Sequence, residues 1–192
     1  MEFKKLVREN RSYRGYDGTY QVSKEELVQL VDMARLTPSG MNRQPLRYHI
    51  AFEKAEVAKI QSLTKWAAAL TDRTLPYKGQ EPTGFIVLCQ DMRLSDNLSQ
   101  FRTDVGICAQ TICLGAVSME LGACMIGNFN GKEMKEALAL SDDYFPLLVI
   151  AIGKPKETIV LEEVNEGEDL GYYRDAQDVH HVPKRRLEDI LI

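Results

Sequence analysis

The sequence predicts an α+β fold in which a sheet is packed with helices, and three observations carry that prediction. Helical and strand periodicities follow one another irregularly along the 192 residues, without the strict βαβ alternation of a doubly wound sheet. Two short apolar runs, Phe85 to Cys89 and Leu147 to Ile152, suit buried strands. A third run, from about Ser95 to Leu121, carries apolar residues on nearly every helical face, so it predicts a long helix buried all round, central or at a subunit interface.

The remaining elements follow in order. Ser23-Lys24-Glu25-Glu26 forms a capping box that opens a helix whose Leu27, Leu30, Val31 and Ala34 share one face. Pro38 ends it near Thr37, because the residue before proline avoids the helical region. Arg47 to Phe52 reads as a strand, Glu53 to Leu63 as a helix, and a polar, proline-punctuated stretch leads to Pro82. Gly84 to Gln90 is a buried strand. After the long helix, Gly122 is the stop, Ala123 to Asn128 a strand, and Asn130 the cap of a helix facing inward through Met134, Ala137 and Leu138. Beyond Pro155 the chain turns acidic, from Glu157 to Asp169, with little periodicity of either kind. It reads as an extended C-terminal arm, about residues 156–192, closing on Lys184-Arg185-Arg186.

Composition narrows the function classes. With 44% hydrophobic and 27% charged residues and no repeat or glycine-proline linker, a single domain over residues 1–192 is expected. Lys and Arg total 24 against 28 Asp and Glu, a net charge of −4, so no global basic field recommends nucleic acid as a partner. The apolar runs fall far short of the roughly 20 residues that cross a bilayer. The opening Met-Glu-Phe-Lys-Lys has no apolar leader core, which points to the cytoplasm. Cys89, Cys108, Cys113 and Cys124 form no C-x-x-C pair and read as small buried hydrophobes, with no metal site expected. His180 and His181 read as a polar pair on the arm.

No G-x-G-x-x-G, Walker loop, G-x-S-x-G or H-E-x-x-H is present, so an enzyme with this sequence takes its chemistry from a cofactor. Arg8, Arg11 and Arg14 either share a solvated helix face or supply planar donor forks to an anion, with Ser12 adding a hydroxyl. Pro38-Ser39-Gly40-Met41-Asn42-Arg43-Gln44-Pro45 is either a plain connector or a donor-rich loop held between prolines.

Together these segments resemble the FMN-dependent nitroreductase family. Asn10-Arg11-Ser12-Tyr13-Arg14 is similar to its R-R-S-x-R opening, and Ala34 to Pro45 to its A-R-x-A-P-S-x-x-N-x-Q-P-W segment, with Leu46 where tryptophan is usual. Asp104 to Gln110, Leu121 to Gly127 and His181-Val182-Pro183-Lys184-Arg185 agree in the same order, so the resemblance covers nearly the whole chain.

The resemblance implies a homodimer with FMN at the subunit interface, NADH or NADPH as donor, and two-electron ping-pong reduction of a small-molecule nitroaromatic, quinone or activated-alkene acceptor. The alternative is an FMN-binding sensor or storage protein without turnover. By position, Arg11, Ser12 and Arg14 hold the phosphate end and the pyrimidine side, and Lys184 and Arg185 reach the phosphate from the arm. Pro38, Ser39, Gly40 and Asn42 come from the other subunit or line the ring edge, with Tyr13 and Gln44 completing the set. The backbone around Ile126 and Gly127 faces the ring. No side chain is a catalytic nucleophile, since the chemistry resides on FMN; Arg14 or a nearby lysine is the candidate for stabilising charge on the reduced ring.

Overall fold

The computed structural model describes residues 2–192. The elements are α1 (Phe3–Glu9), α2 (Lys24–Arg35), β1 (Leu46–Ala51), α3 (Lys54–Leu63), β2 (Gly84–Asp91), α4 (Arg102–Ser118), β3 (Gly122–Ile126), α5 (Gly131–Ala137), β4 (Tyr144–Gly153), β5 (Ile159–Val164), β6 (Tyr173–Arg174) and β7 (His180–Arg185). Strands β1, β2, β4 and β3 form, in that order, an antiparallel sheet. Every residue of β2 is buried, which explains why it reads as a continuous apolar run rather than an alternating one.

Alternation along the central strands builds two cores. Ile86, Leu88, Ile150 and Ile152 pack with Leu27, Leu30 and Ala34 of α2 and with Ala109, Ile112 and Ala116 of α4. The residues between them, Phe85, Val87, Val149 and Ala151, pack with Val57 and Ile60 of α3 and with Met134 and Leu138 beside α5. The α+β expectation is met as a sheet covered by helices on both faces. The capping box is complete: Ser23 Oγ accepts from the Glu26 amide and the Glu26 carboxylate accepts from the Ser23 amide.

The long helix is shorter than its hydrophobic pattern. It begins at Arg102, because Ser95 and Asn97 fold the preceding chain into turns; the Asn97 amide donates to Ser95 Oγ (3.1 Å) and the Ser99 amide to Asn97 Oδ1 (3.0 Å). Nor is it buried all round. Thr103, Gly106, Ile107 and Gln110 form an uncovered stripe on α4, with Ile107 37% exposed.

The arm also departs from expectation. The acidic stretch contains β5, which pairs in parallel with β7, and β6 pairs with the other side of β7. Local reading missed β5 because the side-chain partner of Glu162 is supplied from afar: His181 Nδ1 lies 2.5 Å from Glu162 Oε1, diagonally across in the neighbouring strand. At the first sheet's outer edge, Ser12 bridges Ala123 of β3, and the Tyr13 amide donates to the Ala123 carbonyl (3.1 Å). The Tyr13 ring lies against Gly122, where a Cβ would stand 2.7 Å from a ring carbon, so glycine permits this close approach.

Candidate functional site

The arginine segment does not form the shared helical face. Helix α1 stops at Glu9, and from Arg11 the backbone runs extended along β3, which separates Arg8 from Arg11 and Arg14. The segment is instead clamped to the arm. The Arg14 amide and the Arg174 guanidinium both donate to the Glu157 carboxylate, whose side chain is 4% exposed; burial pushes its pKa up against the pull of those donors.

A corner of about 230 Å³ results, lined by Arg11, Ser12 and Arg14 from one side and by Ile159, Tyr172, His180, Val182 and Lys184 from the arm. Three cations therefore converge without an ion-pair partner among the described residues. Arg11 donates through Nη2 to the Val7 carbonyl (2.9 Å), but its Nε is buried with no acceptor. Burial lowers the pKa of Arg11. The Arg14 guanidinium lies over the Tyr172 ring, 4.9 Å from its centre. Positive charge, a free hydroxyl and an orphaned N–H are the donor set an anion requires.

Alternation on β7 decides which arm residues take part. His180, Val182 and Lys184 share the face toward the corner, so Arg185, expected there with Lys184, points to the opposite side. Tyr13 also lies outside the corner, its hydroxyl donating to the Glu9 carbonyl (3.0 Å).

The second expected segment sits elsewhere. Ser39 Oγ donates to Asp104 Oδ2 on α4 (2.5 Å) and accepts from the Gln44 amide (2.9 Å), tying both ends of the loop to the start of that helix. Between these ties Met41, Asn42 and Gln44 adopt φ values of 51°, 53° and 48°, a left-handed run unusual for residues with side chains. Ser39 and Gln44 border a separate hollow of about 210 Å³ floored by Asp104 and Cys108, while Pro38, Gly40 and Asn42 are exposed around it. Gly127 borders a third hollow, of about 290 Å³. A Cβ built on it meets nothing within 4 Å, so no part of this chain occupies that space; Ile126 beside it is buried in the core. These three hollows share no lining residue within the one chain. A larger cavity, about 590 Å³ beside α3, contains none of the expected site residues.

Comparison with known proteins decides the family, because the sequence profile of the nitroreductase family matches residues 7–154. The chain belongs to the nitroreductase family. The oxygen-insensitive NADPH nitroreductase of Helicobacter acinonychis is 26% identical to this nitroreductase over 79% of the chain and 86% of its own length. The FMN reductase [NAD(P)H] of Bacillus subtilis is 27% identical over 80% and 66%. A nitroreductase of Exiguobacterium sibiricum, solved in complex with FMN, shares the fold with a TM-score of 0.67 at 20% identity, over 82% of this chain and 90% of that one. In this nitroreductase the corner also takes in Tyr172 and His180 of the arm, which the sequence reading left out of it. Counting back in twos from Lys184 along β7 is the signal that would have found His180.

Proposed function

We propose that this nitroreductase is an FMN-dependent oxidoreductase that takes electrons from NADH or NADPH and delivers them in pairs, by alternating half-reactions, to a nitroaromatic, quinone or activated-alkene acceptor. The observation that carries the reading is the corner where Arg11, Arg14 and Lys184 converge unpaired around an orphaned Nε. Its donor set fits a single phosphate, and no glycine-rich loop offers a cradle for the pyrophosphate of a dinucleotide. Relatives named for NADPH, NAD(P)H and FMN support the same cofactor and donor.

Bound FMN supplies the two-electron chemistry. The chain supplies binding and electrostatics. Arg11 and Lys184 hold the phosphate, Ser12 adds a hydroxyl, and Arg14, steadied on Tyr172, brings positive charge toward the flavin. Pro38, Ser39, Gly40, Asn42 and Gln44 act on the ring edge from a second subunit, a reading supported by the position of Ser39 and Gln44 at a hollow separate from the corner of their own chain. The open space at Gly127 leaves room for a ring to approach the backbone after Ile126. Arg185, facing away from its own corner, has no role in that phosphate contact. The visible spectrum of the purified protein, chromatography of its heat-released cofactor and the rate of NADH or NADPH oxidation with an acceptor test the proposal. FMN with steady turnover is expected; FAD or a colourless protein overturns the cofactor reading, and bound FMN without NAD(P)H oxidation overturns the oxidoreductase reading.

A further inference from the structure

We propose that His180 is a direct ligand of the flavin phosphate, its ring donating N–H to a phosphate oxygen beside Arg11, Arg14 and Lys184. The inference rests on the FMN reading above and adds a contact of a different kind to it. His180 is 2% exposed, yet neither ring nitrogen has a hydrogen-bond partner. A buried imidazole with both nitrogens idle calls for an occupant that the chain does not supply.

Its surroundings state what that occupant must be. The ring borders the corner and sits edge-on to Tyr172, with centres 5.4 Å apart, so its orientation is set by packing. Burial is the largest influence against a positive charge on it, joined by Arg14 from the extended segment, Arg174 from β6 and His181 on its own strand and opposed by Asp178 in the turn before β7; together they push its pKa down to about 4. A neutral imidazole offers one donor and one acceptor. The cationic side chains at the corner, Arg11, Arg14 and Lys184, are donors only and cannot accept from the imidazole N–H, which has no partner within the chain. An oxygen of a phosphate held by the same cations meets that need.

The test is a fluorescence titration of the apoprotein with FMN and, separately, with riboflavin, which lacks the phosphate. His180→Phe keeps the ring and removes both nitrogens; His180→Ala, titrated in parallel, covers the case in which the phenyl ring does not fit. FMN affinity is expected to fall about tenfold or more in each variant, as for loss of a hydrogen bond to a charged group. Riboflavin affinity is expected to stay at the wild-type value. The apo form of H180F should unfold at the same or a higher denaturant concentration, because an unsatisfied polar ring has become an apolar one. Folded variants that bind FMN as tightly as wild type overturn the inference, as does an equal loss toward both flavins. Wild-type protein that binds FMN no better than riboflavin instead overturns the phosphate reading of the whole corner.

Discussion

Arg11 shows how a single residue separates binding from folding. Its guanidinium has one contact inside the chain, to the Val7 carbonyl, and its buried Nε has none, so most of its donor capacity is unspent. Arg11→Ala should therefore weaken FMN by roughly 10- to 150-fold, while stability changes by about half a kcal/mol. Parallel flavin titration and urea unfolding check both numbers; unchanged FMN affinity would reduce Arg11 to a helix-end contact. The adjacent histidines predict a pH response with two limbs. His181 lies between Asp175 (Nε2, 3.2 Å) and Glu162 (Nδ1, 2.5 Å), whose hydrogen bonds raise its pKa above the unfolded value of about 6.5. That stabilisation is fully present below about pH 6.5 and is lost as pH rises through the raised value. His180 has the opposite sign: held near 4 by burial and cations, it makes the folded arm costlier as pH falls below about 6.5. Hydrogen exchange of the β5 and β7 amides in the apoprotein should show greatest protection near neutrality. His181→Phe should flatten the alkaline limb and His180→Phe the acid one, and the reverse assignment would refute this account.

At the scale of elements, the pairing of α2 with α4 depends on a small residue whose role is not evident locally. A Cβ on Gly115 would stand 2.8 Å from Met33 Sδ and 3.0 Å from Leu30 Cδ2. Replacing glycine within a helix gains up to about 1 kcal/mol of propensity, whereas forcing extra methyl groups into a packed interface costs about 1–3 kcal/mol. Gly115→Ala should thus be close to neutral, since the Met33 side chain can shift, and Gly115→Val should lose about 2 kcal/mol. Denaturant midpoints of the two variants measure this, and a valine variant as stable as wild type would show that α2 moves freely. The arm sheet is tied to the body in a different way, through the Glu157 carboxylate shared by the Arg14 amide and Arg174. That link makes the arm part of the arginine corner.

For the whole molecule, the uncovered stripe of Thr103, Gly106, Ile107 and Gln110 on α4 and the three disjoint hollows have the same consequence. One chain presents parts of a site that a second copy can complete, and the uncovered face of α4 leaves room for that copy. FMN binding and dimerisation should therefore be linked: a ligand that binds only the dimer stabilises it by mass action. Light scattering over a dilution series should show dissociation shifting to lower protein concentration when FMN is present. A monomer that holds FMN as tightly as the dimer would contradict the shared site.

The sequence by itself determined what depends on neighbours along the chain. The capping box of α2, the continuous apolar run of β2, the order of the family motifs and the arginine segment are all written in local spacing and composition. Tertiary structure decided what depends on partners far apart in sequence. Whether Arg11 and Arg14 lie on a helix or a strand edge was settled by backbone pairing with Ala123, and the strand hidden among acidic residues by His181 across the sheet. The corner face of His180 and Lys184 was fixed by the register of β7. Local periodicity records which way a side chain can point, but only the assembled sheet says what it meets there.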